Sequence, residues 1–349
     1  MINKTQQHKM NNLKNILDHI WGVAPLKVVS MTILCGFWDY LSNNPKVLKT
    51  DLRSHFNWKE RPFDRVADLL TDLNLIQTNN GKVRLTNISQ KWLVKTSKDY
   101  IGDFIVRANE LSKAYDNIGE MLCNDKPDIV MYESTINAFG KDSNSTVVFT
   151  KSMDAMTREF LFEITDKINF DNTNKVLDIG AGLGIISIEF SKLFPETEFI
   201  LLELPGVSEL SLQYVNDNAN PNKIKVITGD LKKTDTWQKE ELSQNFSFDL
   251  IILSQILHEL TIEETKLLFQ KCSDLLVENG KLVVIGFLDN LEKYKMLSHI
   301  FSLNMLFEMG SDNPNKDEIT EIAKQNNITF DNDYYLSAGR MLWIGHKTV

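Results

Sequence analysis

An acidic residue followed by three alternating glycines is the part of the sequence with the clearest chemical meaning. Asp178 lies near the end of a short apolar run, and Gly180, Gly182 and Gly184 follow it at alternate positions. An apolar run before a glycine turn, with an apolar-periodic segment after it, predicts strand, turn and helix. Glycines in such a turn let a ligand approach the backbone closely at the carboxyl end of the strand.

The spacing of this turn bears on the charge of its ligand. Asp-x-Gly-x-Gly-x-Gly differs from the Gly-x-Gly-x-x-Gly of dinucleotide-binding folds. Asp178 occupies the place where a pyrophosphate would lie, and two anions there would repel each other. A cation would be attracted, so we predict a site for S-adenosyl-L-methionine (SAM), whose sulfonium and ammonium groups are positive.

Two further acids follow predicted strands. Glu203 ends the second strand, about 20 residues beyond the glycine turn, where an acid accepts hydrogen bonds from a ribose diol in other doubly wound folds. The alternative for Glu203 is a solvated strand-end carboxylate. Asp230 ends the third strand, and it could meet an adenine amino group while Leu231 packs on the ring. The alternative for Asp230 is a turn residue after Gly229.

A histidine follows the fourth predicted strand. The topology puts His258 at the carboxyl edge of the sheet, beside the glycine turn, where ligands bind in such folds. A phenol has a pKa of ~10 and is a poor nucleophile when neutral, whereas an imidazole of pKa ~6.5 is free at pH 7 to take its proton. We therefore predict His258 as a general base, with a purely structural histidine as the alternative.

These residues need a parallel sheet to bring them together. From residue 175 onward the pattern alternates between strand and helix, which predicts an α/β fold with a doubly wound sheet. A helix is predicted at 184–194, an apolar helix through about residue 306, and another near 317–325. Strands are predicted at 176–179, 198–202, 224–227, 248–253 and 281–286, and a terminal hairpin from the extended runs 334–336 and 341–345.

The N-terminal third has a different pattern. A hairpin is predicted around Asn79-Asn80-Gly81, after helices at 11–22, 24–41, 49–56 and 61–75. This order is typical of a winged helix, which suggests DNA binding or dimerisation. The last of these helices carries Asp64, Asp68 and Asp72, whose negative charges DNA phosphates would repel. Dimerisation is therefore favoured over DNA binding.

The segment between the two domains is predicted to be largely helical. One helix is expected over 100–124, a connecting loop over 125–145, and a second helix over 146–168. The second helix carries Phe149, Met153 and Met156. Most bulky residues of such a helix are core, but methionine is an adaptable filler, so Met153 and Met156 could instead line an acceptor pocket.

Composition limits the classes of function. The chain has 349 residues and a formal net charge of −9, and it shows no cluster of bases that would hold nucleic acid. Its three cysteines lie far apart, which indicates reduced thiols in a cytosol and gives no metal-ligand spacing. No apolar run reaches the length of a membrane span and no signal peptide is recognisable. We therefore expect a cytoplasmic protein without a metal, a membrane partner or a nucleic-acid partner.

The motifs in this order resemble the SAM-dependent O-methyltransferases of the plant caffeate and bacterial polyketide type. The resemblance covers nearly the whole chain and is specific as a set. It rests on residues 176–184, Glu203-Leu204-Pro205-Gly206-Val207, Gly229-Asp230-Leu231, Leu257-His258-Glu259 with Glu263-Glu264, and Gly280-Lys281-Leu282.

The resemblance implies a fold, an activity and a set of site residues. It implies a Rossmann-like, seven-stranded class I methyltransferase domain at 171–349, a helical linker at 101–170 that contributes to the acceptor pocket, and a mostly helical winged-helix dimerisation domain at 1–100. The implied enzyme is a homodimer that methylates a hydroxyl of an aromatic or polyketide-like molecule and releases S-adenosyl-L-homocysteine. The implied site has His258 as base, Glu259 near the methionine portion of SAM, and Phe149 and Met153 near the acceptor. We also predict Leu204 and Ser254 on the cofactor side and Met156 near the acceptor.

Several positions depart from the family pattern. Glu259-Leu260 stands where Asp-Trp is usual, and Ser254 where plant members often have Lys. The acids that flank the base in plant enzymes fall at about Gly286 and Asn313, and neither residue is acidic. An acid orients a catalytic histidine and stabilises its cation. Either Asp289 or Asp312 takes that part, or His258 is a weaker base than in those enzymes.

Three interpretations therefore remain open. The first is O-methylation. The second is C- or N-methylation, or another SAM-dependent reaction on a natural product. The third is a winged-helix regulator without enzymatic activity.

Overall fold

The protein divides into two compact units along the chain. The first unit ends at Lys113 and the second begins at Ala114. Within the first unit, the helix Gly102–Leu111 packs against the helix Val23–Leu34. The predicted domain bounds 1–100, 101–170 and 171–349 stay predictions. The computed structural model describes residues 21–124, 143–219, 222–233, 237, 247–311 and 313–348.

The first unit is mainly helical. Its three strands form an antiparallel sheet in the order β1-β3-β2. Its core includes Phe37, Trp38, Leu52 and Leu70, which are all nearly inaccessible to solvent. The elements in chain order are α1 Val23–Leu34, α2 Phe37–Asn43, β1 Val47–Leu48, α3 Lys49–His55, α4 Glu60–Asp72, β2 Ile76–Asn79, β3 Lys82–Leu85, α5 Asn87–Trp92 and α6 Gly102–Leu111.

The hairpin predicted in this unit is confirmed. β2 and β3 pair directly, and Asn80 and Gly81 between them have φ values of 49° and 71°. Two positive φ values in a two-residue loop are what a type I′ hairpin turn requires. The helix predicted at 11–22 lies mostly outside the described residues.

Two helices predicted as continuous are in fact broken. The prediction over 24–41 is wrong because Gly36, with a φ of 76°, ends α1 in a left-handed conformation and begins α2. The prediction over 100–124 is also wrong as a single helix. After α6 the chain makes a 3-10 turn at Ser112–Asn117 and then forms α7 Ile118–Asn124.

The second unit is an α/β domain. The predicted loop at 125–145 lies largely outside the described residues, and the predicted helix 146–168 is observed as α8. After α7 its elements are α8 Ser143–Thr165, β4 Lys175–Ile179, α9 Ile185–Leu193, β5 Glu198–Glu203, α10 Pro205–Asn218, β6 Ile224–Thr228, β7 Phe248–Ser254, α11 Ile262–Leu275, β8 Leu276–Gly286, α12 Lys295–Met309, α13 Lys316–Gln325, β9 Ile328–Tyr335 and β10 Met341–Lys347.

The sheet of this unit has seven strands in the order β6-β5-β4-β7-β8-β10-β9. The strands from β6 to β8 run parallel, and β10 pairs antiparallel with both β8 and β9. The predicted fold class and strands are confirmed, although β8 and β9 begin earlier than expected, at Leu276 and Ile328. The chain order reverses between β4 and β7, and in open α/β sheets ligands bind beside such a point at the carboxyl ends of the strands.

Strand β4 is covered by core residues on both faces of the sheet. Leu177 and Ile179 belong to the core on one face of the sheet, and Val176 belongs to the core on the other. Because side chains alternate along a strand, Asp178 points to the same face as Val176, which is the face covered by α9. The acid ahead of the glycine turn is therefore directed into the protein.

The terminal hairpin of the sheet has an irregular register. β9 and β10 pair directly except for a shift between Ile344 and Gly345. A Cβ atom at Gly345 would lie 2.5 Å from the carbonyl oxygen of Thr329, so only glycine allows this approach of the two backbones. A 3-10 turn at Ser337–Gly339 joins the strands, and Arg340 follows it directly before β10.

Candidate active site

The glycine turn joins β4 to α9 as predicted. Gly180, Gly182 and Gly184 have φ values of 66°, 59° and 81°. Gly184 is constrained in two ways, because its φ is positive and a Cβ atom there would lie 2.4 Å from Cδ1 of Leu201 on the neighbouring strand. The turn thus brings backbone N–H groups to the carboxyl edge of the sheet without intervening side chains.

Substitution of Gly184 tests this constraint. We expect Gly184→Ala to lower the free energy of unfolding by about 1–3 kcal/mol, because alanine strains the positive φ and contacts Leu201. Chemical denaturation measures the change. Gly119→Ala is the matched control, since Gly119 lies in α7 with nothing within 4 Å of a Cβ atom. Equal stability of Gly184→Ala and wild type would contradict the packing described.

The side chain of Asp178 is hydrogen-bonded to a residue of α9, the helix that follows it. Its Oδ2 accepts a hydrogen bond of 2.6 Å from the Ser187 hydroxyl on α9, and its Oδ1 has no partner among the described residues. Burial raises the pKa of Asp178 to about 7, and the Ser187 hydrogen bond opposes this shift. A cation near Asp178 would favour its ionised form.

Glu203 is the last residue of β5, and its carboxylate holds the glycine turn. Oε1 accepts the Gly182 N–H at 2.5 Å, and Oε2 accepts the Leu204 N–H at 2.9 Å. Burial raises the pKa of Glu203 to about 7, the two backbone hydrogen bonds lower it, and the charge of Asp178 raises it further. Each carboxylate oxygen has a second lone pair, so Glu203 can accept further hydrogen bonds from a ligand.

Asp230 and Leu231 follow β6 in a turn. Oδ1 of Asp230 accepts the Lys232 N–H at 2.9 Å, and Oδ2 lies 3.5 Å from the Lys233 ammonium. The Asp230 carbonyl oxygen accepts a hydrogen bond of 2.7 Å from the Trp237 indole, and Leu231 packs partly buried against the core. The turn interpretation of Asp230 therefore has direct support, and its adenine contact stays a prediction.

His258 lies in a 3-10 turn that begins soon after β7 ends at Ser254. Gln255 turns the chain there with a φ of 59°, and the 3-10 turn spans Leu257–Glu259. The imidazole is buried, lies edge-to-face against Phe301 with 4.9 Å between the centroids, and its Nδ1 has no partner among the described residues. Burial lowers the pKa of His258 to about 3, with a further contribution from the positive charge of Arg340. The ring is therefore neutral at pH 7, as a proton acceptor must be.

Glu259 completes a group of acids. It is half-buried, and desolvation of its carboxyl raises its pKa to about 8, with Lys232 opposing the shift and Glu203 and Glu308 adding to it. Asp178 acts on Glu203, and Glu203 acts on Glu259. We call Asp178, Glu203 and Glu259 the carboxyl cluster. Three carboxyls with raised pKa values, linked through Glu203, form an environment that favours a cation.

The predicted acceptor residues lie on α8. Phe149, Met153 and Met156 are each half-buried, whereas the core face of this helix is formed by Phe160 and Ile164. A Cβ atom at Gly182 would lie 3.9 Å from Cγ2 of Thr150, which is next to Phe149. This part of α8 therefore lies beside the glycine turn, while acceptor binding by these residues stays a prediction.

Comparison with known proteins identifies the second unit. A family model described as the O-methyltransferase domain matches residues 115–328. The chain belongs to this O-methyltransferase family. The resemblance derived from the motifs is therefore confirmed, and the protein is a methyltransferase.

Relatives of this methyltransferase act on different atoms, as their names state. It is 25% identical over 282 residues to myricetin 3'/5'-O-methyltransferase 1 of Solanum habrochaites, across 75% of this chain and 71% of that protein. It is 20% identical over 283 residues to L-tyrosine C(3)-methyltransferase of Streptomyces lavendulae, across 78% of this chain and 74% of that protein. Human N-acetylserotonin methyltransferase, solved in complex with SAM, has a similar fold, with a TM-score of 0.81 at 16% identity over 97% of this chain and 98% of that one.

This methyltransferase differs from the family pattern around its histidine. Gly286 ends β8, and Asn313 is buried with neither side-chain polar atom bonded among the described residues. Asp289 lies in a backbone bridge with Asn315, and Asp312 is outside the described residues. The charged residue that acts on His258 is a cation, Arg340, which sequence reasoning missed. Its only signal was a single charge directly before the apolar residues that begin β10.

The described part of this methyltransferase shows neither a metal-ligand cluster nor a membrane-spanning helix. No group of three or more histidine, cysteine, aspartate or glutamate side chains there is arranged to hold a metal ion. Within the same residues no helix combines the length and hydropathy that a bilayer span requires.

Proposed function

We propose that the protein is a SAM-dependent O-methyltransferase that acts on a hydroxyl group of an aromatic small molecule. The observation that carries the proposal is the pairing of two features at one sheet edge. The carboxyl cluster comes from β4, β5 and the turn after β7, and the neutral, buried His258 is the neighbour of Glu259 in that turn. One feature suits a cationic cofactor and the other suits proton removal from an acceptor.

The cofactor side of the site meets the chemical requirements of SAM. The unpartnered Oδ1 of Asp178 and the raised pKa values of the carboxyl cluster favour a positive ligand. Glu203 has lone pairs for a ribose diol, and Leu204, Asp230, Leu231 and Ser254 stand at the ends of adjoining strands. When bound, SAM supplies a methyl group on a sulfonium, which a nucleophilic oxygen accepts.

His258 is assigned the proton-transfer role. Its imidazole is neutral at pH 7 and desolvated, so it can accept a hydroxyl proton without first losing one of its own. A pKa near 3 makes it a weak base towards a free phenol of pKa ~10. Proton removal is therefore expected to accompany methyl transfer, with the site contributing chiefly by holding the reacting groups in place.

The acceptor is argued from the relatives and from α8. Myricetin and L-tyrosine, in the names of two relatives, are both hydroxylated aromatic compounds. Phe149, Met153 and Met156 would supply apolar contacts to such a ring. The direct test is incubation with SAM and a panel of phenolic acceptors, with detection of both S-adenosylhomocysteine and a methylated product.

C-methylation is the second candidate, because a C(3)-methyltransferase is among the relatives and no acid flanks His258 at positions 286 and 313. NMR of the product distinguishes the two candidates by the carbon or oxygen that carries the new methyl group. If every product carried its new methyl group on a ring carbon, C-methylation would replace O-methylation as the proposed reaction. Absence of S-adenosylhomocysteine with every acceptor would reject methyl transfer itself.

The first unit is proposed to form a homodimer, and the enzyme to work in the cytoplasm without nucleic acid. Two acids of α4 that would face DNA are paired within the unit, Asp64 with Lys49 at 2.8 Å and Asp68 with Arg65 at 3.5 Å. Light scattering tests the dimer. A salt-dependent shift of duplex DNA would favour the regulator instead.

The pH dependence of cofactor binding follows from the carboxyl cluster. Its pKa values of about 7, 7 and 8 lie above the ordinary carboxyl range, so the stability that these groups give the ligand-free fold is present in acid and lost as pH rises through 7–8. A cation binds the ionised forms, so we expect SAM to bind about tenfold more tightly at pH 8.5 than at pH 6. The same change should be smaller for S-adenosylhomocysteine, which lacks the sulfonium charge.

Calorimetry checks this prediction. SAM binding at pH 7 should release protons, so the measured heat should vary with the ionisation enthalpy of the buffer. An unchanged SAM affinity between pH 6 and 8.5, without proton release, would mean that the carboxyl cluster does not contact the cofactor's positive charge.

A further inference from the structure

Arg340 is a buried cation without an ion-pair partner among the described residues. Its side chain lies directly before β10 with a residue exposure of 3%. Its Nε has no hydrogen-bond partner, and no ion pair within 4 Å involves it among the described residues. Burial lowers the pKa of Arg340 only to about 10, so the guanidinium stays charged at pH 7. Buried charges are normally paired or hydrogen-bonded, so this one requires an explanation.

The nearest acids do not supply that explanation. Glu163 and Glu159 on α8 raise the pKa of Arg340 through space, but neither is in contact with it. The Glu163 carboxylate accepts the Ser337 N–H at 3.0 Å instead.

The rings of Phe160 and Phe287, with centroids 5.1 Å and 4.8 Å from Cζ of Arg340, stabilise the cation, but no ion pair within 4 Å balances it among the described residues. Its N–H donors are therefore available to an anion that enters the site.

An aromatic wall connects Arg340 to His258. Cζ of Arg340 lies 4.8 Å from the centroid of Phe287, and Phe287 stacks on Phe301 at 4.1 Å. Phe301 in turn contacts the His258 imidazole edge-to-face at 4.9 Å. The proton acceptor and the cation thus touch different rings of one stacked pair, Phe301 and Phe287.

His258 and Arg340 would contact two different functional groups of the acceptor. A hydroxyl that loses its proton must lie at His258, so the group that meets Arg340 is a second group on the same molecule. A guanidinium presents donors in a planar fork that matches a carboxylate with two parallel hydrogen bonds. A neutral hydroxyl or ether would leave the buried charge uncompensated.

We propose that Arg340 binds a carboxylate on the acceptor, so that the substrate is a hydroxylated aromatic carboxylic acid. This inference rests on the proposed function and narrows its substrate class. It also gives Arg340 a role in proton transfer, since its charge depresses the basicity of His258 in the ligand-free protein. A carboxylate paired with Arg340 cancels that charge and makes His258 a stronger base when the correct substrate is present.

The test uses the full-length protein saturated with S-adenosylhomocysteine and binding measured by calorimetry. The probes are hydroxybenzoic and hydroxynaphthoic acids, each paired with its primary amide, which has the same shape and no charge. We expect the better acids to bind at least about tenfold more tightly than their amides. Arg340→Gln should remove this preference, and Arg340→Lys should retain part of it, with S-adenosylhomocysteine affinity unchanged in both.

A second readout separates recognition from a structural effect. The His258 ring resonance should titrate at a higher pH when a preferred acid is bound than when its amide is bound. Should Arg340→Gln fail to fold, the acid-to-amide ratio of wild type and the Lys variant still decide the matter.

Equal affinity of acids and amides for wild type, or no binding of either, would overturn the proposal. An equal loss of turnover on acid and amide in Arg340→Gln would also overturn it and would assign Arg340 to the developing phenolate. Failure of S-adenosylhomocysteine to bind is a different result, because it would reject the proposed function itself.

Discussion

His258→Ala should lower the turnover number by about 10²–10⁴, while the affinity for S-adenosylhomocysteine stays within about twofold of wild type. The reason is that we assign the imidazole to the acceptor side, since it is buried, its Nδ1 has no partner among the described residues and its ring lies edge-to-face against Phe301. We assign the cofactor side to other residues, chiefly Asp178 and Glu203. Rapid-quench measurement of methyl transfer, together with calorimetry of S-adenosylhomocysteine, separates the two effects.

The matched control for this variant is His299→Ala. His299 is an exposed histidine on α12, so its removal changes the same side-chain type without affecting the sheet edge. Turnover of His299→Ala should equal that of wild type. If His258→Ala methylated its acceptor at the wild-type rate, the assignment of His258 as proton acceptor would be wrong, whatever the cofactor affinity.

Glu203→Gln should weaken binding of both SAM and S-adenosylhomocysteine by about 10²-fold. The carboxylate accepts the Gly182 and Leu204 N–H groups at once, and two charge-assisted hydrogen bonds of this kind organise the turn that receives the ligand. A glutamine has only one oxygen, so its NH₂ group would face one of these donors. The variant also loses the charge and one acceptor oxygen that we assign to the ribose diol.

Glu198→Gln provides a control on the same strand. Glu198 begins β5, where Glu203 ends it, and its carboxylate lies 3.8 Å from Lys175 in a partly exposed ion pair. The loss of that pair should leave cofactor affinity unchanged. At saturating SAM the Glu203 variant should recover most of its turnover, so its defect should appear in the Michaelis constant. Wild-type affinity in Glu203→Gln would exclude Glu203 from the cofactor site.

The site residues on the parallel strands could be predicted, because the carboxyl ends of parallel strands lie at the same edge of the sheet. Asp178, Glu203 and Ser254 lie at or next to the carboxyl ends of β4, β5 and β7, and His258 follows soon after, so chain order alone brings them close. The partner of Asp178 could not be predicted in the same way. The sequence suggested a carboxylate free to face a cation, whereas half of it is held by Ser187, a contact that depends on the pitch of α9.

Other features depended on contacts that no local pattern shows. Hydrophobic periodicity continues through residue 36, so the break between α1 and α2 was indicated only by one glycine in the left-handed conformation. The packing of the terminal hairpin against distant elements places Arg340 over Phe287, which stacks on the Phe301 ring that contacts His258. That no described residue forms an ion pair with Arg340 is a property of the folded protein, and neither spacing nor composition indicates it.

The register of the terminal hairpin sets the position of Arg340 independently of the strands that carry the carboxyl cluster. β9 and β10 are aligned by the close approach of Gly345 to Thr329, and a slip of one residue would turn the side chains of β10 to the opposite face. Arg340 stands at the start of that strand, whereas the carboxyl cluster is built on strands at the other side of the sheet. With Arg340 as the proposed carboxylate-binding residue, substitutions in β9 and β10 alone should change which aromatic acids bind. The same substitutions should leave cofactor binding by the carboxyl cluster unchanged.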